Sequence, residues 1–188
     1  KGYAVGTFGL FLVTDDGGNT WTELDAPAIR GESLHFNALT KLADGNLLLV
    51  GEAGMLGISS DGATWERLQS PYEGSFFGVV PFGAKGAIAY GLRGNVYRTD
   101  DPRTGAWTAV DLQSKQSVFG ATQLANGDTV LVGADSLLVV LDASGNVKAR
   151  LSKAAGALGS GTLMAVVPFK GGLLMAGELG IEFRSLKP

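Results

Sequence analysis

Short apolar runs separated by glycine-containing turns recur along the whole chain. One complete period runs through the apolar stretch FNALTKL, a turn at Asp44-Gly45, the run NLLLVGE, a Gly-x-x-Gly turn, the run MLGISS, a polar turn and the segment TWERL. Asn-Gly, Asp-Gly and Gly-Gly supply the positive φ that two-residue hairpin turns require, and the apolar runs have the usual length of strands. Each period therefore predicts four antiparallel strands, A to D, joined by three hairpins.

Strand B of each period is almost entirely apolar, at residues 47–50, 87–90, 129–132 and 173–176. A continuous apolar run of this length indicates burial on both faces, which neighbouring sheets packed face to face would provide. No stretch has a sustained 3.6-residue period, and the Ala-rich segment 154–161 contains three Gly residues and is predicted to be a loop. We expect almost no helix.

Three independent features repeat in register. Trp21, Trp65 and Trp107 are spaced by 44 and 42 residues, and segments of the type GTFGLFLVT begin at Gly6 and again at residues 51, 91, 133 and 177. A Gly-containing turn precedes strand B in each period, as in LADGNLLLV and LANGDTVLV. A period of 40 to 45 residues with four strands is typical of a β-propeller blade.

The predicted fold is all-β: one β-propeller of four-stranded blades of about 43 residues with polar C–D turns. The repeats lie at approximately 1–25, 34–69, 76–112, 118–152 and 163–188, which is about 4.5 blades within a single domain, 1–188. The chain begins at a B strand and stops after a C strand, so its eighteen strands do not make whole blades. This favours part of a larger ring, since open blade edges invite association. A smaller ring closed between the first and last repeats is the alternative.

The C–D turn carries the most specific local motif. Residues 14–21, TDDGGNTW, match the Asp-box pattern Ser/Thr-x-Asp-x-Gly-x-Thr-Trp in full, and residues 59–65, SSDGATW, match it with one residue fewer. A third copy keeps its Asp and Trp around an insertion, and a fourth has lost the aromatic residue. The motif positions are Thr14, Asp16, Gly18, Thr20, Trp21, Ser59, Asp61, Gly62, Thr64, Trp65, Asp101, Trp107, Asp142 and Gly145.

The residue types of this motif suit a structural turn. An Asp carboxylate accepts backbone N–H groups within its own hairpin, Gly takes the left-handed conformation, and Trp docks between strands. Calcium binding by DDGGN is the alternative, but an EF-hand loop that starts at Asp15 would need Glu at its twelfth position, where Ala26 stands. We therefore expect no metal site.

Repeated Asp boxes joined to a Gly-x-x-Gly strand motif resemble the bacterial-neuraminidase-repeat (BNR) propellers, and particularly the photosystem II assembly and stability factor family with its bacterial relatives. The resemblance covers essentially the whole chain. It implies a non-catalytic, seven-bladed propeller that is exported to a lumen or periplasm and assists membrane-protein assembly; bacterial relatives are often associated with export or efflux systems. Seven blades of this size would need roughly 300 residues.

Composition excludes several classes of function. The 188 residues include 29 Gly and no Cys, 18% are charged, and the net charge is −3. Without Cys there is no disulfide, thiolate nucleophile or zinc-thiolate site, and a single His excludes a multi-His metal site. Scattered basic residues argue against nucleic acid as a partner. No apolar run is long enough for a transmembrane segment, and no cofactor motif is recognised, so no cofactor is expected.

A sialidase uses the same turns but also needs an Arg triad, a Tyr nucleophile with a Glu partner, and an acid Asp. Of the seven Arg residues, only Arg30 and Arg93 lie in loops expected at the functional face. The chain alone therefore does not build the triad, and we expect no catalytic residues. A carbohydrate-binding or glycan-hydrolysing propeller remains the alternative function.

In a propeller the B–C and D–A loops emerge at one face and the Asp boxes at the other. The two residues inside each Gly-x-x-Gly-type turn, and the long D–A loops, therefore supply the candidates for partner binding. We single out Phe8, Glu52, Arg93, Asp135, Glu178, Arg30, His35 and Tyr72. His35 has a packed or surface position as its simpler interpretation, and Tyr72, which follows a proline, is expected to be exposed.

Taken with the candidate residues, the resemblance to the assembly-factor family implies a non-catalytic propeller scaffold or assembly factor of the bacterial envelope. We expect its partner to be a protein, such as a membrane transporter or another membrane complex, and its location to be the periplasm or another exported compartment.

Overall fold

The computed structural model describes residues 1–151 and 161–186. Within these ranges the regular structure consists of eighteen short strands, one four-residue α-helix and four single-turn 3₁₀ helices. The predicted Ala-rich loop, except for Gly161, lies outside the described residues. The strands form five antiparallel sheets, each a meander in chain order, which confirms the predicted fold class of repeated blade-like sheets.

The strand bounds follow the repeats. The first sheet contains β1 (Gly2–Val5), β2 (Phe11–Thr14) and β3 (Thr22–Glu23). The second contains β4 (Phe36–Lys41), β5 (Leu47–Gly51), β6 (Leu56–Ser59) and β7 (Glu66–Arg67). The third contains β8 (Phe76–Phe82), β9 (Gly86–Gly91), β10 (Val96–Thr99) and β11 (Thr108–Ala109). The fourth contains β12 (Val118–Gln123), β13 (Thr129–Gly133), β14 (Leu138–Leu141) and β15 (Val147–Arg150). The fifth contains β16 (Leu163–Phe169), β17 (Gly172–Gly177) and β18 (Gly180–Ser185).

The helical elements are short and sit in the connections. The α-helix α1 (Pro27–Arg30) has Pro at its first position, where the missing N–H costs nothing, and the chain leaves it at Gly31. The 3₁₀ turns are Thr7–Gly9, Leu92–Gly94, Pro102–Thr104 and Ala134–Ser136. Almost no helix was expected, and α1 is too short to leave a periodic signal in the sequence.

The chain divides into two compact units. Unit 1 comprises Lys1–Ala89 and Thr99–Trp107, and unit 2 comprises Tyr90–Arg98 and Thr108–Pro188.

The core of unit 1 lies around Phe11. This side chain is fully buried, and its ring meets Trp65 with centroids 5.0 Å apart and Phe36 with centroids 6.1 Å apart. The same cluster includes Ile29 of α1 and Leu49 of β5. The first two sheets and α1 therefore share one apolar core, whose burial is the main source of their stability.

The core of unit 2 lies between the fourth and fifth sheets. Its buried members are Val130, Val132, Leu138, Val140, Val166, Leu173 and Met175. Every residue of β13 is buried, as are all residues of β5 from Leu48 onward. The apolar B strands thus lie at the centre of the packing, as their composition predicts.

A bulge recurs at the start of the A strands. The pairing register shifts after Phe36 in β4, after Val118 in β12 and after Leu163 in β16. The extra residue locally bends the strand and redirects the chain. In unit 1 the bulged residue Asn37 also donates a hydrogen bond of 2.8 Å from its side-chain amide to the Phe76 carbonyl.

Candidate partner-binding turns

Five turns join a B strand to a C strand, and we refer to them as the B–C turns. They are residues 6–10, 51–55, 91–95, 133–137 and 177–180. In the first two sheets, and again in the fourth, the Asp box or its remnant joins strands C and D at the opposite end of the sheet. Each of these turns contains one of the residues that we predict to bind a partner: Phe8, Glu52, Arg93, Asp135 and Glu178.

Four B–C turns hold a residue other than glycine in the left-handed conformation at the same position. These residues are Phe8 (φ 54°), Ala53 (φ 48°), Arg93 (φ 58°) and Asp135 (φ 51°). The left-handed region costs an L-amino acid roughly 1–2 kcal/mol. The surrounding contacts must therefore hold each turn in place, and the side chain at this position is presented by a fixed backbone.

Hydrogen bonds fix the two B–C turns of unit 1. The Gly9 N–H donates to the Leu34 carbonyl over 2.9 Å, and the Gly54 N–H donates to the Gly74 carbonyl over 2.8 Å. At Gly54 a Cβ atom would collide with the Tyr72 carbonyl oxygen, so only glycine permits this approach. Both turns are thus tied to the loop that leads into the next sheet.

The B–C turns of unit 2 are tied down in the same way. The Arg93 N–H donates to the Ser117 hydroxyl over 3.1 Å, and the Ala134 N–H donates to the Ser117 carbonyl over 2.9 Å. The Ser136 N–H donates to the Gly161 carbonyl over 2.8 Å. Ser117 thus connects two successive turns, one through its hydroxyl and one through its carbonyl. Nothing in the sequence pattern around Ser117 predicts this role.

Phe8, His35 and Glu52 form one side-chain cluster in unit 1, which we call the Phe8 cluster. The Phe8 ring is 75% exposed and stands edge-on to the His35 ring, with centroids 4.9 Å apart and planes at 78°. A Glu52 carboxylate oxygen, Oε2, accepts the His35 backbone N–H over 2.9 Å and lies 3.8 Å from His35 Nδ1. Three predicted binding residues are therefore brought together.

Glu52 and Glu178 accept hydrogen bonds from equivalent backbone N–H groups, each one residue before the A strand of its own repeat. Glu178 Oε2 accepts the Thr162 N–H over 2.9 Å, as Glu52 accepts that of His35. In both cases the carboxylate holds the residue just before strand A against the B–C turn. These two residues, selected for partner binding, thus also have a structural role. In the sequence, this structural role is indicated by the recurrence of Glu directly after the first glycine of the B–C turn, at Gly51-Glu52 and Gly177-Glu178.

Two other predicted residues are less available than expected. The Arg30 guanidinium donates to the Leu24 carbonyl over 3.0 Å and forms an ion pair with Glu23. Tyr72 is only partly exposed because its ring packs edge-on against Phe76, with centroids 5.6 Å apart.

Arg93 and Asp135 are both exposed in unit 2. Within the described residues, no ion pair involves the Arg93 guanidinium. Asp135 Oδ2 accepts the Gln116 side-chain amide over 3.3 Å, and Gln116 in turn accepts the Ser114 hydroxyl over 2.6 Å. Gln116 carries no motif that would mark it in the sequence, yet its side-chain amide holds the Asp135 carboxylate in position.

The first two Asp boxes are hydrogen-bonded turns. Asp16 accepts the Thr20 hydroxyl and N–H and the Thr14 hydroxyl, and these bonds hold the pKa of Asp16 well below its ordinary value. In the second box, the backbone N–H groups of Ala63 and Thr64 lower the pKa of Asp61 to about 2, with help from the Ser59 hydroxyl. Bonds to the ionised form explain both shifts.

The other motif positions differ in packing. Trp65 is 6% exposed in the unit 1 core, whereas Trp21 is 43% exposed and its Nε1 donates to the Gly18 carbonyl over 3.2 Å. Asp101 accepts the Arg103 N–H over 3.0 Å, and Asp142 accepts the Asn146 N–H over 2.9 Å. Gly18, Gly62 and Gly145 have φ of 94°, 72° and 78°, and Trp107 is partly exposed.

Residues 1–148 match the family described as photosynthesis system II assembly factor YCF48. This match covers more than half of the chain. The chain belongs to the YCF48 family. No curated protein sequence matches it.

Solved structures with this fold include YCF48 itself. A structure of YCF48 bound to D1 peptide matches with a TM-score of 0.74 and 21% identity, over 99% of this chain and 60% of that one. YCF48 from Cyanidioschyzon merolae matches with a TM-score of 0.71 and 18% identity, over 97% and 62%. The C-terminal WD40 domain of Sif2 matches with a TM-score of 0.70 and 14% identity, over 96% and 53%. These likenesses show the β-propeller fold, and this chain spans about three fifths of the length of the YCF48 structures.

In this YCF48-family chain, four Arg side chains have separate partners. Arg30, Arg67, Arg103 and Arg150 make separate contacts with Glu23, Glu32, Glu66 and the Leu112 carbonyl, respectively. Over residues 1–151 and 161–186, no three His, Asp or Glu side chains come together as a metal site would require. In the same part of the chain, no helix has the length and apolar composition needed to span a membrane.

Proposed function

We propose that this chain is a non-catalytic propeller scaffold that binds an extended segment of a partner protein through its B–C turns. The observation that carries the proposal is the Phe8 side chain, which is 75% exposed on a hydrogen-bonded turn with a left-handed backbone. A large aromatic side chain held rigidly in solvent is the usual anchor of a protein interface.

Relatives support a protein as the partner. The family is described as an assembly factor, and one solved YCF48 structure is bound to D1 peptide. A peptide needs only a few fixed contact points on its partner, and the B–C turns supply such points in each unit because hydrogen bonds hold them in place.

We further propose that the partner is a membrane protein, such as a transporter or the subunit of a membrane complex, and that the scaffold works in the bacterial envelope after export to the periplasm. The resemblance of the repeats to exported assembly factors motivates this part of the proposal. Fractionation of the source cells, followed by immunodetection of the chain, tests the location: recovery in the cytoplasm alone would overturn it.

The glycan-hydrolysing alternative has less support, because at least three of the seven Arg side chains make separate contacts with other groups. A carboxylate-gripping triad needs three guanidinium groups that converge on one ligand. Arg30 and Arg67 in unit 1 pair with Glu23 and Glu32, respectively, and Arg150 in unit 2 donates to the Leu112 carbonyl over 2.8 Å.

Binding of labelled peptides tests the proposed function. Short overlapping peptides would cover the D1 protein and the membrane proteins encoded beside the gene for this chain, and fluorescence anisotropy would report their binding. We expect at least one peptide to bind saturably and to bind more weakly after Phe8→Ala. Ser60→Ala, at an exposed C–D turn position, is the matched control and should bind as the natural chain does.

A further inference from the structure

The two units differ in charge. Unit 1 contains six Lys and Arg residues and twelve Asp and Glu residues, a formal charge of −6, whereas unit 2 contains nine basic and six acidic residues, a formal charge of +3. The net charge of −3 for the whole chain hides this asymmetry. Because a field of one sign attracts partners of the opposite sign and orients their approach, unit 1 favours a cationic partner.

The Phe8 cluster lies in the acidic unit and contains a carboxylate, that of Glu52, with which no Lys or Arg of the described residues forms an ion pair. Glu52 Oε2 accepts the His35 N–H, and in the described part of the chain neither Lys nor Arg forms an ion pair with Glu52. Arg30 is directed to Glu23 and the Leu24 carbonyl instead. The Glu52 side chain is 43% exposed, so its charge faces solvent next to His35, whose ring contacts that of Phe8.

The Phe8 ring provides the apolar half of the cluster. Its contact with His35 is edge-on, which leaves most of the ring in solvent. Leu10, at the end of the same turn, is 44% exposed. Phe8 and Leu10 together would contact aliphatic side chains or the methylene groups of a long basic side chain, and a cation close to the ring face gains a further electrostatic attraction.

We infer that Phe8 and Glu52 recognise a Lys or Arg side chain within an otherwise apolar segment of the partner protein. The carboxylate pairs with the cationic group, and the ring covers its methylene stem. This inference rests on the proposed function, because it specifies the chemistry of the segment that the B–C turns of unit 1 bind.

Three synthetic peptides that alternate Leu with Arg, with Gln or with Glu test the inference, with binding followed by fluorescence anisotropy at low and high salt. We expect the Leu/Arg peptide to bind tightest and to lose affinity as salt rises, because ions screen exposed charges. Glu52→Gln keeps an acceptor for the His35 N–H and removes the charge. It should weaken binding of the Leu/Arg peptide about threefold to fivefold, the upper range for an exposed ion pair.

Glu178→Gln is the matched control. Glu178 has the same turn position and the same kind of backbone hydrogen bond as Glu52, but its partner is Thr162 in place of the aromatic His35, and it belongs to the basic unit. It should leave binding of the Leu/Arg peptide unchanged. Phe8→Gly should weaken binding about twofold to fivefold without lowering the melting temperature, because glycine adopts the left-handed conformation without strain.

The outcomes separate this inference from the proposed function. Equal binding of the Leu/Arg and Leu/Glu peptides, or equal effects of Glu52→Gln and Glu178→Gln, would overturn the inference while peptide binding through other B–C turns stands. Failure of all three peptides and of the overlapping natural peptides would overturn both.

Discussion

Trp65 stands edge-on to Phe11, with ring centroids 5.0 Å apart and ring planes at 64°. Phe11 belongs to β2 of the first sheet, and Trp65 ends the Asp box of the second sheet, so this contact joins successive sheets within unit 1. The Asp box therefore does more than close a hairpin: its tryptophan contributes to the core between two sheets.

The first prediction concerns this tryptophan. Trp65→Ala should lower the free energy of unfolding by about 3–5 kcal/mol, the usual cost of removing a large buried aromatic ring. Trp21→Ala, at the same motif position but with a ring that is 43% exposed, should cost clearly less. Urea titrations followed by circular dichroism measure both. Equal losses would show that Trp65 has no special place in the core.

The second prediction concerns acid stability. Asp61 has a folded-state pKa of about 2, below the value near 3.9 expected in an unfolded chain. The unfolded state therefore binds a proton first as pH falls, so the contribution of Asp61 is complete above about pH 4 and is lost on the way down to about pH 2. Urea titrations across this window measure the free energy of unfolding, which should depend less on pH in the Asp61→Asn variant than in the natural chain. An identical pH dependence would contradict the prediction.

The third prediction concerns the left-handed turn position. Ala53→Gly removes a strain of roughly 1–2 kcal/mol but increases the flexibility of the unfolded chain, which costs about 0.4–1 kcal/mol. A net stabilisation of about 0.5 kcal/mol should follow. The neighbouring change Gly54→Ala should destabilise the chain, because its Cβ would collide with the Tyr72 carbonyl. Thermal melts of both variants give the comparison, and changes in the same direction would be the contrary result.

The fourth prediction concerns an ion pair in the fourth sheet. Asp128 has a 9% exposed side chain and accepts Lys148 Nζ over 2.7 Å, a bond that lowers the pKa of Asp128. Lys148→Met should lower the free energy of unfolding by about 1–2 kcal/mol. This loss is smaller than for a fully buried ion pair, because the Lys148 side chain is half exposed. In a double-mutant cycle, adding Asp128→Asn should recover part of this loss; strictly additive losses would show that the pair is not coupled.

The repeated strands and hairpins were predictable because their signals are local. Alternating turn glycines and apolar B strands such as 47–50 report burial and reversal of the chain within a few residues. The D strands were harder to predict: the segment TWERL forms only the two-residue strand Glu66–Arg67. After this strand the Leu68 N–H still donates to the Leu56 carbonyl over 2.9 Å.

The candidate site was only partly predictable. Loop membership placed Phe8, His35 and Glu52 at one end of their sheets, but their mutual contacts depend on the path of residues between two repeats. The same is true of Arg30, whose guanidinium is directed toward Glu23 by α1 and the preceding strand. The left-handed conformation of Phe8 was not predicted. A turn that contains glycine usually places the positive φ at the glycine, whereas here both Phe8 and Gly9 have positive φ.

The central claim is that the B–C turns, and not the Asp-box ends, contact the partner. A photoreactive benzoylphenylalanine placed at position 8 or at position 21 tests it most directly, because both side chains are exposed and they lie at opposite ends of the first sheet. After illumination with a bound, labelled peptide, mass spectrometry would locate the cross-link. The account predicts an adduct from position 8 and none from position 21. An adduct from position 21 alone, or equal yields from both, would contradict it.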